Sequence, residues 1–229
     1  MNRVRWLRAE WSISMRTLAA KMKTQMFTRD SFDGFVIERV RDTFIEARYI
    51  EKMNYQETIT DPFGIEQVFD RIAYRTVEFS LFSEYPQIEL RDAHRSTKEL
   101  VSKLLEICNF SVAIVPVSID LLDWVERFRE LTEQKVLVDA VQVSGLELDR
   151  GISAKILIKG DKDVREALQS VAAKRKFTLE KIHMQYSYGT KFVSIHLAST
   201  GAIKVPEDCM NELLPLLRQS LPAGTTNGG

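Results

Sequence analysis

The sequence predicts an α+β protein: a mixed, mostly antiparallel sheet with helices packed on one side, and two related α+β halves as a variant of that plan. Three observations predict it. Apolar and polar residues alternate in many segments between Phe44 and Val205, the mark of strands with one buried face. Helical stripes fall between these strands without strict alternation, in the order β-α-β-α-β-α-β-β-α-β-β-β-α, which disfavours a doubly wound parallel sheet. The 229 residues are 45% hydrophobic and 28% charged with zero formal net charge, so a core is affordable and global disorder is excluded.

Residues 1–25 read as a basic amphipathic helix. Leu7, Trp11, Met15, Leu18 and Met22 fall on one helical stripe. Arg3, Arg5, Arg8, Arg16, Lys21 and Lys23 stand against Glu10 alone, so this segment carries +5 and the remaining 204 residues −5. Those six cations are a candidate partner surface for lipid, nucleic acid or an acidic protein. The competing expectation is that the stripe packs on the body of the protein. Trp6 and Trp11 favour it, being larger than an electrostatic arm requires.

Residues 26–132 then form one α+β half. Phe44 to Thr60 reads as a long strand. Asp61-Pro62 reads as the start of a helix carrying Ile65, Val68, Phe69 and Ile72. Thr76 to Phe82 is a strand, and Ile88 and Leu90 resume after Tyr85-Pro86. Ser96 and Glu99 match a capping box for a helix through Cys108 that buries Leu100, Leu104 and Ile107. Ser111 to Ile119 reads as a buried strand. Asp120 caps a helix burying Leu121, Trp124, Val125 and Phe128.

Residues 133–222 form the second half, joined at Leu131 to Lys135. Val136 to Leu148 and Ile152 to Ile158 are strands about an Arg150-Gly151 turn. Asp161 caps a helix with Val164, Leu168, Val171 and Ala172. Phe177 to Val205 is strand-rich, and Pro206 opens a last helix in which Pro215 should make a kink. Residues 223–229, small and polar, read as a disordered tail.

One register follows from the pattern. A two-residue turn at Gly189-Thr190 sets Ile182 against Leu197, Met184 against Ile195 and Tyr186 against Val193, all on one face. The opposite face then pairs His183 with His196, Gln185 with Ser194 and Ser187 with Phe192. A slip of one residue would mix the faces.

The candidate chemistry is sparse. The phosphate loop GxxxxGK[ST], GxGxxG, GxSxG and HExxH are all missing. His183 and His196 are a candidate metal pair that lacks evident third and fourth ligands. Arg91, His94, Arg95 and Ser96 cluster at a helix start and are a candidate anion site. Glu133-Gln134-Lys135 has the ExK form of some metal-dependent nucleases, with Asp120 and Asp123 upstream. Lys174 to Lys176 is a short basic run. Cys108 and Cys209 have neither disulfide-framework nor zinc spacing, which points to a reducing cytoplasm. No apolar run reaches the ~18 residues of a membrane span.

These features predict a non-catalytic cytoplasmic binding or assembly protein, acting through a protein partner or as a homo-oligomer and needing no cofactor. A nucleic-acid-associated accessory protein is the alternative, and a metal-dependent nuclease-like enzyme the more remote one.

Overall fold

The computed structural model describes residues 1–92, 97–173, 175–189 and 191–223. In chain order the elements are β1 (Asn2–Ala9), α1 (Met15–Lys23), β2 (Asp33–Val40), β3 (Phe44–Thr60), β4 (Glu66–Phe82), β5 (Ile88–Arg91), α2 (Lys98–Ile107), β6 (Ile114–Pro116), α3 (Leu121–Thr132), β7 (Val136–Asp149), β8 (Ile152–Lys159), α4 (Arg165–Ala172), β9 (Thr178–Tyr188), β10 (Lys191–Ala198), β11 (Ala202–Val205) and α5 (Met210–Gln219). Strand is 47% and helix 24%, an α+β fold as expected. Two compact units form. A terminal unit holds Met1–Arg8 and Val115–Gly229, and an inserted unit holds Ala9–Ile114.

The inserted unit is an antiparallel sheet in the order β2-β3-β4-β5 with two helices. Its core gathers Phe35 of β2, with ring centroids 5.5 Å from Tyr49 and 6.0 Å from Phe79. Helix α1 brings Met15, Leu18 and Met22 to that core, all buried. Ser14 caps it by accepting from the Thr17 N–H at 3.2 Å. Helix α2 buries Leu100 and Leu104, and its Lys103 reaches Asp33 of β2 at 3.0 Å. The start of α2 differs from expectation: Thr97 is the N-cap and its side chain makes no capping bond.

Two sequence expectations fail here. The first is the single helix over residues 1–25. Only Met15–Lys23 is helical, while Asn2–Ala9 is a strand. Val4 and Trp6 are buried and alternate with Arg3 and Arg5, a period of two, and β1 pairs antiparallel with β11 from Asn2↔Val205 to Arg5↔Ala202. The apparent stripe therefore crosses from a strand into a helix, and the two parts belong to different units.

The second is the helix after Asp61. Strand β4 instead runs back along β3 through seventeen cross-strand pairs, from Phe44↔Phe82 to Thr60↔Glu66. Asp61 does cap, but it caps a turn. Its Oδ1 accepts from the N–H groups of Phe63 at 2.8 Å and Ile65 at 2.9 Å. Gly64, at φ +86°, takes the left-handed conformation that closes the turn.

The terminal unit is an antiparallel sheet in the order β1-β11-β10-β9-β7-β8. Its helices lie on one face. Trp124 of α3 packs edge-on against Trp6 at 5.9 Å, and its Nε1 donates to the Leu217 carbonyl of α5 at 3.1 Å. Phe128 packs on Tyr186 at 5.1 Å. These contacts tie α3 to the C-terminal strands, so the division falls at 114/115 and 8/9 rather than between Leu131 and Lys135. Helix α4 starts at Arg165, whose N–H is accepted by Asp163 at 3.0 Å rather than by Asp161. Pro215 sits inside α5, which continues unbroken from Met210 to Gln219.

Candidate functional site

The face of the terminal sheet opposite its helices is the richest in chemistry. It is set by the β9–β10 hairpin, whose register is the expected one: Ile182↔Leu197, Met184↔Ile195, Tyr186↔Val193, and His183↔His196, Gln185↔Ser194, Phe192↔Ser187. The first three pairs are buried. Gly189 takes φ +58° at the turn, and Thr190 lies outside the described residues.

On the open face the two imidazoles lie with ring centroids 4.3 Å apart. His183 Nδ1 contacts Asp139 Oδ1, and its Nε2 pairs with Ser194 Oγ at 2.6 Å. The tautomer that suits both carries its proton on Nδ1, so that Nε2 accepts from the serine hydroxyl. Gln185 Nε2 donates to Asp139 Oδ2 at 3.2 Å and to Ser194 Oγ at 3.4 Å. Asp139 reaches the cluster because β7 is irregular between Val138 and Ala140, which re-aims one side chain. Partial burial, then the neighbouring His183 and the Lys204 ammonium, lower the pKa of His196, with Asp139 acting in the opposite sense.

Hydroxyl, imidazole and carboxylate follow one another as in a hydrolytic triad. Such a serine normally sits on a sharp strand-to-helix turn, with N–H donors aimed at the developing oxyanion. Ser194 is mid-strand on an open sheet face. Both nitrogens of His183 are engaged, and among the described residues no group of three His, Cys, Asp or Glu is arranged to hold a metal ion. The structure brings His183 and His196 together as the register predicts, within a hydrogen-bonded polar cluster that holds both nitrogens of His183.

Around the cluster runs a row of cations. Arg3 of β1 opposes Lys204 of β11, Lys204 opposes His196 of β10, and His196 opposes His183 of β9. Lys181 lies two residues from His183 on the same face and is exposed. Among the described residues neither Lys181 nor Lys204 has an acidic partner. Phe192, on the same face of β10, is 73% exposed.

The other sequence candidates scatter. Arg5 and Arg8 follow Arg3 on β1, whereas Arg16, Lys21 and Lys23 are on α1 in the inserted unit, with Arg16 paired to Asp42. The six cations do not form one helical surface, because the chain changes from strand to helix between them. Arg91 is held by Glu89 at 2.9 Å, and His94, Arg95 and Ser96 lie outside the described residues. Glu133 ends α3 in a left-handed conformation at φ 52°, Asp120 is spent on capping α3, and Asp123 pairs with Arg127 at 3.0 Å. No nuclease-like constellation joins them.

The inserted unit holds a feature that sequence reasoning missed. Strand β2 pairs with β3 only as far as Glu51, and β5 pairs with β4 only from Glu78 to Leu81. Beyond them β3 and β4 continue as a two-stranded ribbon about 30 Å long. It exposes Ile59, Phe63, Ile65, Val68, Ile72 and Tyr74, with Phe63 90% exposed. Residues 56–70 contain Glu57, Asp61, Glu66 and Asp70 and no Lys or Arg. The signal lay in the even spacing of Val68, Ile72 and Tyr74, which suits one face of a strand.

No protein-family model and no curated protein matches the chain. Fold and surfaces define its class: an antiparallel α+β protein of two units, one extending an apolar ribbon with an acidic tip and the other presenting a basic sheet face. Among the described residues no helix is long and apolar enough to cross a membrane.

Proposed function

We propose that the protein is a non-catalytic binding or assembly factor that docks through the β3–β4 ribbon onto a protein partner. The observation that carries this reading is the ribbon itself. A two-stranded hairpin is marginal alone in water, and this one extends well past its supporting strands while exposing large apolar side chains. Asp61, Glu66 and Asp70, with no base between residues 58 and 70, make the ribbon tip acidic, while Glu57 is paired with Arg71 at 2.9 Å. The acidic tip opposes tip-to-tip pairing of two copies and opposes nucleic acid. It favours a partner with cations around an apolar groove. Two free, buried thiols, Cys108 and Cys209, suit a cytoplasmic setting.

The test uses a variant carrying Phe63→Ser, Val68→Ser and Ile72→Ser. Co-purification from the native host should lose a specific partner, with sedimentation of the isolated protein unchanged. These positions are solvent-facing, so stability should move by only about 0.5 kcal/mol per site. An unchanged set of co-purifying proteins would overturn the reading. Loss of a homo-oligomer instead would assign the ribbon to self-association.

A further inference from the structure

We infer that the open face of the terminal sheet binds single-stranded nucleic acid. Three independent features of the face converge on that ligand. Lys181 and Lys204 place two cations on it with no acidic partner among the described residues, and Arg3 stands opposite Lys204 on β1. Two carboxylates reach this face from β7 and β9, and both are engaged: Asp139 by His183 and Gln185, and Glu180 by Gln142 and by Lys155 at 2.7 Å. Phe192, four residues before His196 on the same face of β10, supplies an exposed aromatic ring about 13 Å along the strand.

The spacing suits a strand lying across the sheet. Adjacent strands are about 4.8 Å apart, so the row Arg3–Lys204–His196–His183 covers about 15 Å. A single strand whose phosphates start on this row can turn along β10, where about two nucleotides span the roughly 13 Å to Phe192 and stack a base on it. Stacking on an aromatic ring and pairing of phosphates with Lys and Arg are the two contacts by which sheet surfaces hold single strands without reading sequence. A duplex keeps its bases stacked inside and cannot use Phe192. The Ser194–His183–Asp139 chain and Gln185 add donors and acceptors at the centre of the face, at the height of a base edge.

Charge separates this site from the ribbon. The terminal unit has 18 Lys and Arg against 15 Asp and Glu, a balance of +3, and the inserted unit 14 against 17, a balance of −3. The proposal does not depend on the ribbon's partner.

The experiment measures fluorescence anisotropy of the full chain with labelled 12-nucleotide oligo(U), oligo(dT) and a 12-base-pair duplex, between 50 and 200 mM salt. Two phosphate contacts, at Lys181 and Lys204, give a log–log salt slope of about −1.4 on single strands. Lys181→Ala and Lys204→Ala should each weaken binding and each remove about 0.7 of that slope. Phe192→Ala should weaken binding about tenfold and leave the slope unchanged, since stacking releases no counterions. The ribbon triple variant should bind as the parent does. Comparing oligo(U) with oligo(dT) tells RNA preference from DNA preference. No binding at 50 mM salt, tighter binding to the duplex, or parent-like affinity in all three face variants would overturn the proposal.

Discussion

Both units are antiparallel sheets with helices on one side, yet they leave different surfaces over. In the inserted unit the surplus is length: β3 and β4 outrun β2 and β5, and the excess ribbon is apolar with an acidic tip, Lys52, Arg71 and Arg75 lying nearer its base. In the terminal unit the surplus is a whole face: α3 packs against β9 and α4 against β7 on one side, and the other side carries Lys, Arg, His and one exposed Phe. A one-sided sheet always has a spare face, and the charge placed there selects its partner. An apolar ribbon with an acidic tip suits a protein. A basic polar face suits a polyanion.

The largest effect that can test the separateness of the two units is Trp124→Ala. Trp124 is fully buried, packs on Trp6 and donates to the Leu217 carbonyl. Its truncation should cost about 3–5 kcal/mol. Hydrogen exchange should show faster exchange in β9 and β10, while Ile45 to Tyr49 in β3 keep their protection. Equal loss in both units would mean that they share one cooperative core, and the comparison would fail.

A smaller effect probes the other unit. A Cβ added at Gly34 would fall 2.5 Å from the backbone nitrogen of Phe27. That nitrogen donates to the Phe35 carbonyl at 2.8 Å, and the Phe35 N–H donates to Gln25 at 2.9 Å. Gly34→Ala must push this segment off β2, at about 1–3 kcal/mol. The loss should be confined to β2, β3 and α1 by hydrogen exchange, with oligonucleotide affinity retained. A matching loss of affinity would couple the two surfaces.

What could be read in advance depended on whether a core marked one face. The β9–β10 register was legible residue by residue, because Ile182, Met184 and Tyr186 alternate with polar residues and Gly189 marks the turn. The α3 helix was legible from Asp120 and its stripe. The ribbon was not, because no core sorts its faces. Ile65, Val68, Phe69 and Ile72 also fit helical spacing, and only pairing with β3 decides against it. The strand β1 was masked by a stripe that continues into α1. Of the polar cluster, the facing histidines could be foreseen and Asp139 could not, since the irregularity that turns it inward leaves no mark in the pattern.

The smallest expected effect is the sharpest test of the basic face. Burial, His183 and Lys204 lower the pKa of His196. The folded protein therefore binds fewer protons than the unfolded chain as pH falls below about 6.5, the ordinary histidine value. Stability from this group is complete above that pH and is lost as pH falls through the folded-state pKa. The free protein should melt at a lower temperature at pH 5.5 than at pH 7.5. A bound phosphate backbone reverses the sign. It adds negative charge beside His196, opposing Lys204 and Lys181, so protonation becomes favourable and affinity for oligo(U) should rise as pH falls. His196→Gln keeps a polar side chain but cannot titrate. It should flatten both curves, the fall in melting temperature and the rise in affinity. Lys204→Ala, by removing a cation that disfavours protonation, should shift the stability curve to lower sensitivity while weakening binding at every pH. If affinity falls with pH in step with stability, the imidazoles do not face the phosphates, and the strand does not cross β10.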